Sequence, residues 1–210
     1  MTPPVFFEPR LRPLDIFVLF NLTLFLLMAG TVYYDRFVQF RGTGNLLEFY
    51  IYALFIIGLI LIGWRSFRHI DLPRVLLVFI ELGILMHFAG GLLFLDGQRL
   101  YDHFALGIRY DKYVHFANAL VAAASVDTIF ARKRLRLSKL RPLVILLVVL
   151  GMGAVIEIME YLVTITVPHN GVGDYDNNMQ DLMGNLTGGF TYIVWRNLWR
   201  DSLPEIGGHG

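Results

Sequence analysis

Long blocks of apolar residues constrain this chain more than any other feature of its sequence. A helix of about 20 apolar residues, rising ~1.5 Å per residue, crosses the ~30 Å hydrocarbon core of a bilayer. Because that core offers no water to backbone N–H and C=O groups, helices are the expected spanning form. The sequence predicts an all-α, polytopic transmembrane helix bundle, a single integral membrane domain over residues 1–210, with six spans near 14–33, 46–64, 75–95, 111–130, 143–163 and 179–195.

Composition and charge exclude several classes of protein. Only 17% of residues are charged and the net charge is +1, so no general basic character indicates nucleic acid as a partner. No phosphate-binding loop of the Walker type occurs, and no soluble nucleotide is expected as a partner. The absence of cysteine excludes disulfides and thiolate metal ligands. Membrane lipids are the expected partners, and nothing in the sequence indicates an oligomeric state.

The distribution of basic residues orients the predicted bundle. Thirteen of the 18 lysines and arginines fall on one side, six of them in the segment 132–141 between the fourth and fifth spans. The positive-inside rule places that side in the cytoplasm, and with it both chain termini. Asp127, close to this basic segment, is interpreted as a surface charge partner.

Polar residues recur along one face of four predicted spans, with ~100° between successive residues. With the predicted orientation, they all lie at similar depth in the outer half of the bilayer. A charge placed in lipid costs at least ~2.5–3.5 kcal/mol, so these side chains are expected to pair or to line a wet cavity. Gly184 and Gly188 form a small-x-x-x-small pair that predicts close helix packing. The polar residues of spans three to six are His87; Asp111, His115 and Asn118; Glu157 and Glu160; and Asn178, Asp181 and Asn185.

This cluster predicts an outward-facing site that binds an envelope lipid or its headgroup. If the lipid is also processed, Glu157, Glu160 and Asp181 are the candidate catalytic residues. The candidate ligand-binding residues are His87, Asp111, His115, Asn118, Asn178 and Asn185.

A divalent metal ion is a further alternative for the same cluster. Its candidate ligands are His87, His115, Glu157 and Asp181. Carboxylates favour Mg²⁺, Ca²⁺ or Mn²⁺, and imidazole favours Zn²⁺. In a metal-assisted hydrolase or transferase, metal-bound water would be the nucleophile and a glutamate the general base.

Three short motifs carry a resemblance to a known family. They are D-K-x-x-H at Asp111, E-x-x-E at Glu157 and D-x-x-x-N-x-x-G at Asp181. Their order resembles the VanZ-like superfamily of bacterial membrane proteins over residues 75–195. An H-F-x-G motif at His87 and the Y-D-K form at Tyr110 resemble the YjdF-like inner-membrane proteins, a family of unknown function. The resemblance implies a multi-pass protein of the bacterial inner membrane.

Two other functions remain open alternatives. Intramembrane carboxylates with histidine are typical of proton relays, as in a proton-coupled small-molecule transporter. However, no inverted repeat or pair of broken helices is visible in the sequence. The other alternative is a structural membrane protein whose polar cluster only holds the helices together.

Overall fold

A computed structural model describes the backbone of residues 11–166 and 173–202 and is mostly helical. Its seven α-helices are α1 (Pro13–Met28), α2 (Tyr34–Arg41), α3 (Leu46–Phe67), α4 (Arg74–Leu92), α5 (Tyr110–Arg132), α6 (Arg141–Thr166) and α7 (Tyr175–Ser202). A π-helical turn at Ala29–Tyr33 joins α1 to α2. Short 3₁₀ turns lie at Thr43–Asn45, Leu100–Asp102 and Ser138–Leu140.

Five helical stretches in the described part of the chain are long and apolar enough to cross a membrane. They are Pro13–Gln39, Thr43–Phe67, Arg74–Leu92, Tyr110–Arg132 and Ser138–Leu162. A helical protein with several candidate membrane spans is therefore confirmed. Helix α7 covers the sixth predicted span but does not belong to this apolar set, because polar residues fill its first half. The sixth span and the orientation of the termini stay predictions.

The chain divides into two compact units, Met1–Leu77 and Val78–Gly210. In the first unit, Asp15 near the start of α1 joins the end of α3. Its carboxylate accepts hydrogen bonds from Arg68 Nε at 2.8 Å and from Trp64 Nε1 at 2.7 Å. The second unit contains every predicted site residue.

Two consecutive β-hairpins connect α4 to α5, where the sequence reasoning predicted no strand. The third predicted span was expected to reach residue 95, but α4 ends at Leu92 because the first hairpin begins two residues later. The antiparallel pairs are β1 (Phe94–Leu95) with β2 (Gln98–Arg99), and β3 (Phe104–Ala105) with β4 (Ile108–Arg109).

Both hairpins turn through two residues with positive φ. The angles are 50° and 81° at Asp96 and Gly97, and 53° and 77° at Leu106 and Gly107. Turns of this kind match the right-handed twist of the flanking strands. The pattern F-x-x-G-x-R occurs in both hairpins, over residues 94–99 and 104–109, and it is a short repeat that sequence reasoning missed.

Glycines bring α7 close to α5 in the second unit. A Cβ added to Gly184 would lie 3.1 Å from the Cβ of His115, and one added to Gly188 would lie 3.0 Å from the Cβ of Ala119 and collide with the Phe116 carbonyl oxygen. The close packing predicted from the Gly184–Gly188 pair is therefore present. It sets the polar face of α7 against the first turns of α5.

Asp127 lies at the other end of α5. It pairs with Arg141 of the basic segment, so its predicted role as a charge partner is confirmed, but its predicted surface position is wrong. The residue is only 9% exposed. Its carboxylate accepts hydrogen bonds from Arg141 Nε and Arg196 Nε, both at 2.6 Å, and from the Tyr192 hydroxyl at 2.9 Å. Two guanidinium groups compensate the buried charge, which ties α5 to α6 and α7.

An apolar layer separates Asp127 from the polar residues at the opposite ends of these three helices. Along α5, α6 and α7, the residues of this layer lie between the cavity residues at one end and the residues that surround Asp127 at the other. They are Ala119, Ala123, Val126, Ile145, Val149, Tyr192 and Ile193.

Candidate functional site

The candidate site lies at the end of the second unit formed by the two hairpins and the first turns of α5 and α7, here called the hairpin end. Asp174 immediately precedes α7, and its carboxylate accepts a hydrogen bond from the Asn177 backbone N–H at 2.9 Å and so caps the helix. Asn177 and Asp181 then lie one turn apart. The Asn177 side-chain amide donates to Asp181 Oδ2 at 2.8 Å.

Lys112 on α5 is the cation closest to Asp181. Its ammonium group donates to Asp181 Oδ1 at 2.7 Å and to Asn177 Oδ1 at 2.8 Å, and it pairs with Asp111 Oδ2 at 3.1 Å. Lys112 is 9% exposed and Asp181 1% exposed. A buried ion pair is tolerated only where further hydrogen bonds satisfy both partners, and Asn177 supplies them here.

A second group around Asp181 joins helices α5, α6 and α7. His115 Nε2 lies 3.4 Å from Asp181 Oδ1, and His115 Nδ1 lies 3.9 Å from Glu157 Oε1. One ligand atom from each of these three residues can be chosen so that all lie within 4.8 Å of one another. This group contains three of the four predicted metal ligands.

Glu157 is the most unusual member of this group. It is 5% exposed, and neither carboxylate oxygen has a hydrogen-bond partner among the described residues. A buried carboxylate without donors is costly, because it loses its hydration and gains nothing in return.

His87, the fourth predicted metal ligand, lies outside this group. Its Nδ1 is hydrogen-bonded to the Tyr101 hydroxyl. The Tyr101 ring lies where a Cβ on Gly90 would be, so the glycine of the H-F-x-G motif makes room for the ring. Burial raises the pKa of the Tyr101 phenol well above its usual range.

Two arginines from the repeated hairpin sequence complete the polar shell. Arg109 donates to Asn177 Oδ1 and to Asp102 Oδ1, both at 3.0 Å, and lies 3.3 Å from Asp111 Oδ2. Its Nε has no hydrogen-bond partner among the described residues. Arg99 Nε donates to Asp102 Oδ2 at 3.0 Å.

These side chains surround a cavity of about 150 Å³. A neighbouring hollow of about 460 Å³ shares Arg109 and Asn177 with it and is bordered by Phe104 and Ile108. Among the residues that line the smaller cavity are His87, Arg99, Tyr101, Arg109, Asp111, His115, Glu160, Asn177 and Asp181.

The structure brings together most, but not all, of the residues predicted from sequence. His87, Asp111, His115, Glu160 and Asp181 line the smaller cavity, and Glu157 adjoins it through His115.

The three predicted asparagines lie elsewhere. Asn118 donates to the carbonyl oxygens of Gly83 and Val114 at 3.4 and 3.0 Å. Asn185 packs against Gly153, where an added Cβ would lie 2.5 Å from its Nδ2. Asn178 does not line either cavity.

Sequence reasoning missed five residues of the site. The sequence contained a signal for four of them. Asn177 precedes Asp181 by one helical turn, and the two arginines belong to the hairpin repeat. Lys112 is part of the D-K-x-x-H motif but was not assigned a role. The five residues are Arg99, Tyr101, Arg109, Lys112 and Asn177.

Comparison with known proteins identifies a family. A family model described as "Predicted membrane protein (DUF2238)" matches residues 14–202, and the chain belongs to this family. No curated protein and no solved structure shows significant similarity to the chain.

Proposed function

From this family membership and the geometry of the site, we propose that the protein binds the phosphate-bearing headgroup of a membrane lipid in the cavity at its hairpin end. In this proposal it is one integral membrane domain with six spans in the bacterial inner membrane. Both termini are cytoplasmic, and the hairpin end faces outward. The motif resemblance to VanZ-like and YjdF-like proteins supports the same location.

The distribution of charge supports this orientation. The basic segment 132–141 follows α5 and leads into α6, at the opposite ends of these helices from the hairpins. The positive-inside rule places such a segment in the cytoplasm. Helix α7 has 28 residues, about 42 Å at ~1.5 Å per residue, which is long enough to span the bilayer despite its polar first half.

One observation carries the proposal: a small polar cavity lies at the ends of apolar helices, where lipid headgroups reside. Two arginines and two histidines line it together with Asp111, Glu160 and Asp181. Its volume of about 150 Å³ lies below the ~300–1,000 Å³ of sites for drug-sized ligands. That volume suits a compact polar group such as a phosphate. Arginine binds phosphate well because its planar guanidinium presents several N–H donors at once. Arg109 lines the cavity, and its buried Nε–H has no acceptor among the described residues.

The neighbouring hollow suits the rest of the lipid. It meets the smaller cavity at Arg109, and Phe104 and Ile108 provide apolar surface on its hairpin side. These two side chains are 68% and 48% exposed. A phosphate bound at Arg109 would leave the glycerol and acyl chains beside this apolar wall.

The alternative functions have less support. A transport path needs polar groups on both sides of the bilayer centre, but the apolar layer of α5, α6 and α7 lies between the cavity and Asp127. A purely structural cluster would satisfy its own polar atoms, but both Glu157 oxygens and Arg109 Nε lack partners among the described residues.

Lipid-dependent thermal stability tests the proposal. The full chain, purified in an uncharged detergent, is heated with phosphatidylglycerol or with diacylglycerol, which lacks the phosphate. Phosphatidylglycerol at about 100 times its Kd is expected to raise the Tm by about 5–10 °C, because a ligand that binds only the folded state stabilises it by mass action.

The variant Arg109→Gln is expected to lose most of this rise, and Arg41→Gln in the first unit serves as the control. Diacylglycerol is expected to give little stabilisation. Equal stabilisation by the two lipids, or an Arg109→Gln variant that responds as the wild type does, would overturn the proposal.

A further inference from the structure

Glu157 lacks the partner that a buried carboxylate needs. Its side chain is 6% exposed, and its nearest basic atom is His115 Nδ1 at 3.9 Å, which is too far for a hydrogen bond. No described residue donates to either of its oxygens. A buried carboxylate in this position is stabilised either by a bound cation or by protonation, because no described side chain compensates its charge.

The balance of charge around the cavity favours a cation. Five carboxylates lie in this shell and are opposed by three basic side chains among the described residues. When every carboxylate is counted as ionised and the histidines are left out of the count, two negative charges remain uncompensated, which equals the charge of one divalent ion. The carboxylates are those of Asp102, Asp111, Glu157, Glu160 and Asp181, and the basic side chains are Arg99, Arg109 and Lys112.

We propose that His115, Glu157 and Asp181 bind one divalent metal ion beside the cavity, which His115 and Asp181 line. Their ligand atoms already lie within 4.8 Å of one another. Metal ligands at ~2.0–2.2 Å from the ion lie a few ångströms apart from each other, so small side-chain rotations close the site. The proposal deepens the headgroup function, because an ion at this position would face a phosphate held by Arg109.

The ligand set selects among divalent ions. Two carboxylates suit hard cations, but an imidazole adds affinity for Mn²⁺ and Zn²⁺ over Mg²⁺ and Ca²⁺. We therefore expect Zn²⁺ and Mn²⁺ to bind more tightly than Mg²⁺ or Ca²⁺.

Lys112 competes with the metal ion for Asp181. Its ammonium lies 2.7 Å from Asp181 Oδ1, the same oxygen that lies nearest to His115 Nε2. Lys112 also contacts Asp111 and Asn177, so it keeps acceptors when it releases Asp181. Removal of the lysine charge is therefore expected to strengthen metal binding, an effect that a merely structural lysine would not produce.

Titration of the metal-free full chain with MnCl₂ and with ZnCl₂ tests the proposal. The protein is treated with a chelator, held in an uncharged detergent without added lipid, and studied by calorimetry and by Mn²⁺ electron paramagnetic resonance. One saturable site per chain is expected. The conservative variant Glu157→Gln is expected to weaken binding by at least about tenfold, since a ligand charge is lost.

Two further variants separate ligation from folding. Lys112→Met is expected to tighten binding by about tenfold, through the loss of one nearby positive charge. Asp96→Asn, at the exposed tip of the first hairpin, is the control and is expected to bind as the wild type does. In the absence of metal, Glu157→Gln is expected to unfold at a Tm equal to or above that of the wild type.

The results that would overturn the inference are no saturable Mn²⁺ or Zn²⁺ binding, or binding to Glu157→Gln as tight as to the wild type. Because no lipid is present, failure here leaves the headgroup proposal intact if phosphatidylglycerol still stabilises the protein. Conversely, if the protein binds metal but is stabilised equally by the two lipids, the metal site is supported and only the headgroup proposal is rejected.

Discussion

Neutralisation of Asp127 is expected to be among the most destabilising single changes in the second unit. In Asp127→Asn, the two guanidinium groups at 2.6 Å lose the charge that compensates them, and the Tyr192 hydroxyl loses a charged acceptor. The side chains of Arg141 and Arg196 are 20% and 17% exposed, so water replaces the lost charge only in part. Loss of one partner from a buried ion pair costs about 3–5 kcal/mol, and we expect a loss of this size.

Unfolding of the purified protein in detergent micelles, followed by circular dichroism, measures this effect. Glu48→Gln is the matched control, because it removes the carboxylate of a more exposed pair with Arg41 at 3.1 Å, with side chains 31% and 34% exposed. Exposed pairs of this kind contribute about 0–1 kcal/mol. The reasoning is refuted if the two variants lose the same stability.

Asp127→Asn also tests whether metal binding at the cavity is independent of the ion pairs at Asp127. Asp127 and the cavity lie at opposite ends of α5, with the apolar layer between them. Under conditions in which the variant stays folded, we expect its affinity for Mn²⁺ to equal that of the wild type. A large loss of metal affinity would indicate that the two ends are coupled.

Two further predictions concern helix packing and orientation. Gly188→Ala is expected to lose about 1–3 kcal/mol of stability by overpacking against α5, whereas Gly151→Ala, whose Cβ would meet no atom within 4 Å, is expected to be neutral or stabilising in the same unfolding assay. Equal effects of the two substitutions would contradict the role of Gly188 in close packing. Because the chain has no cysteine, Asp96→Cys and Lys139→Cys each provide a single thiol for a membrane-impermeant maleimide. We expect Asp96→Cys to be labelled in cells whose inner membrane is intact and Lys139→Cys only after that membrane is permeabilised; the reverse pattern would invert the proposed orientation.

The sequence was sufficient to predict the class of protein and the main polar cluster. Apolar blocks of spanning length identify membrane helices without any tertiary information, because bilayer thickness sets their length. Helical periodicity then placed His115, Glu157 and Asp181 on faces that the structure brings together. The Gly184–Gly188 pair indicated the close packing of α7 that makes this possible.

The two hairpins could not be predicted from the helical pattern. Phe94 and Leu95 continue the apolar character of α4, so the third span was drawn through them. The turn at Asp96 and Gly97 was the available local signal, since Asp-Gly favours two-residue hairpins.

Tertiary structure decided which polar residues share the cavity. Asn177 and Asn178 lie about 40° and 60° from Asp181 around the helix, on opposite sides, so periodicity alone does not choose between them. Contacts with the neighbouring helix bring Asn177 to the site, because Lys112 donates hydrogen bonds to both Asn177 and Asp181. Asn118 follows the same helical stripe as His115, but its amide is used against the Gly83 carbonyl.

Charge compensation is the other property that only the tertiary structure reveals. Asp127 looked like a surface residue beside a basic segment, and the structure buries it between Arg141 and Arg196, 14 and 69 residues away in the chain. Glu157 shows the opposite case, a buried carboxylate without a donor among the described residues. The sequence determines which side chains carry charge, whereas the energetic consequence of each charge depends on the atoms that helix packing places within about 3 Å of it.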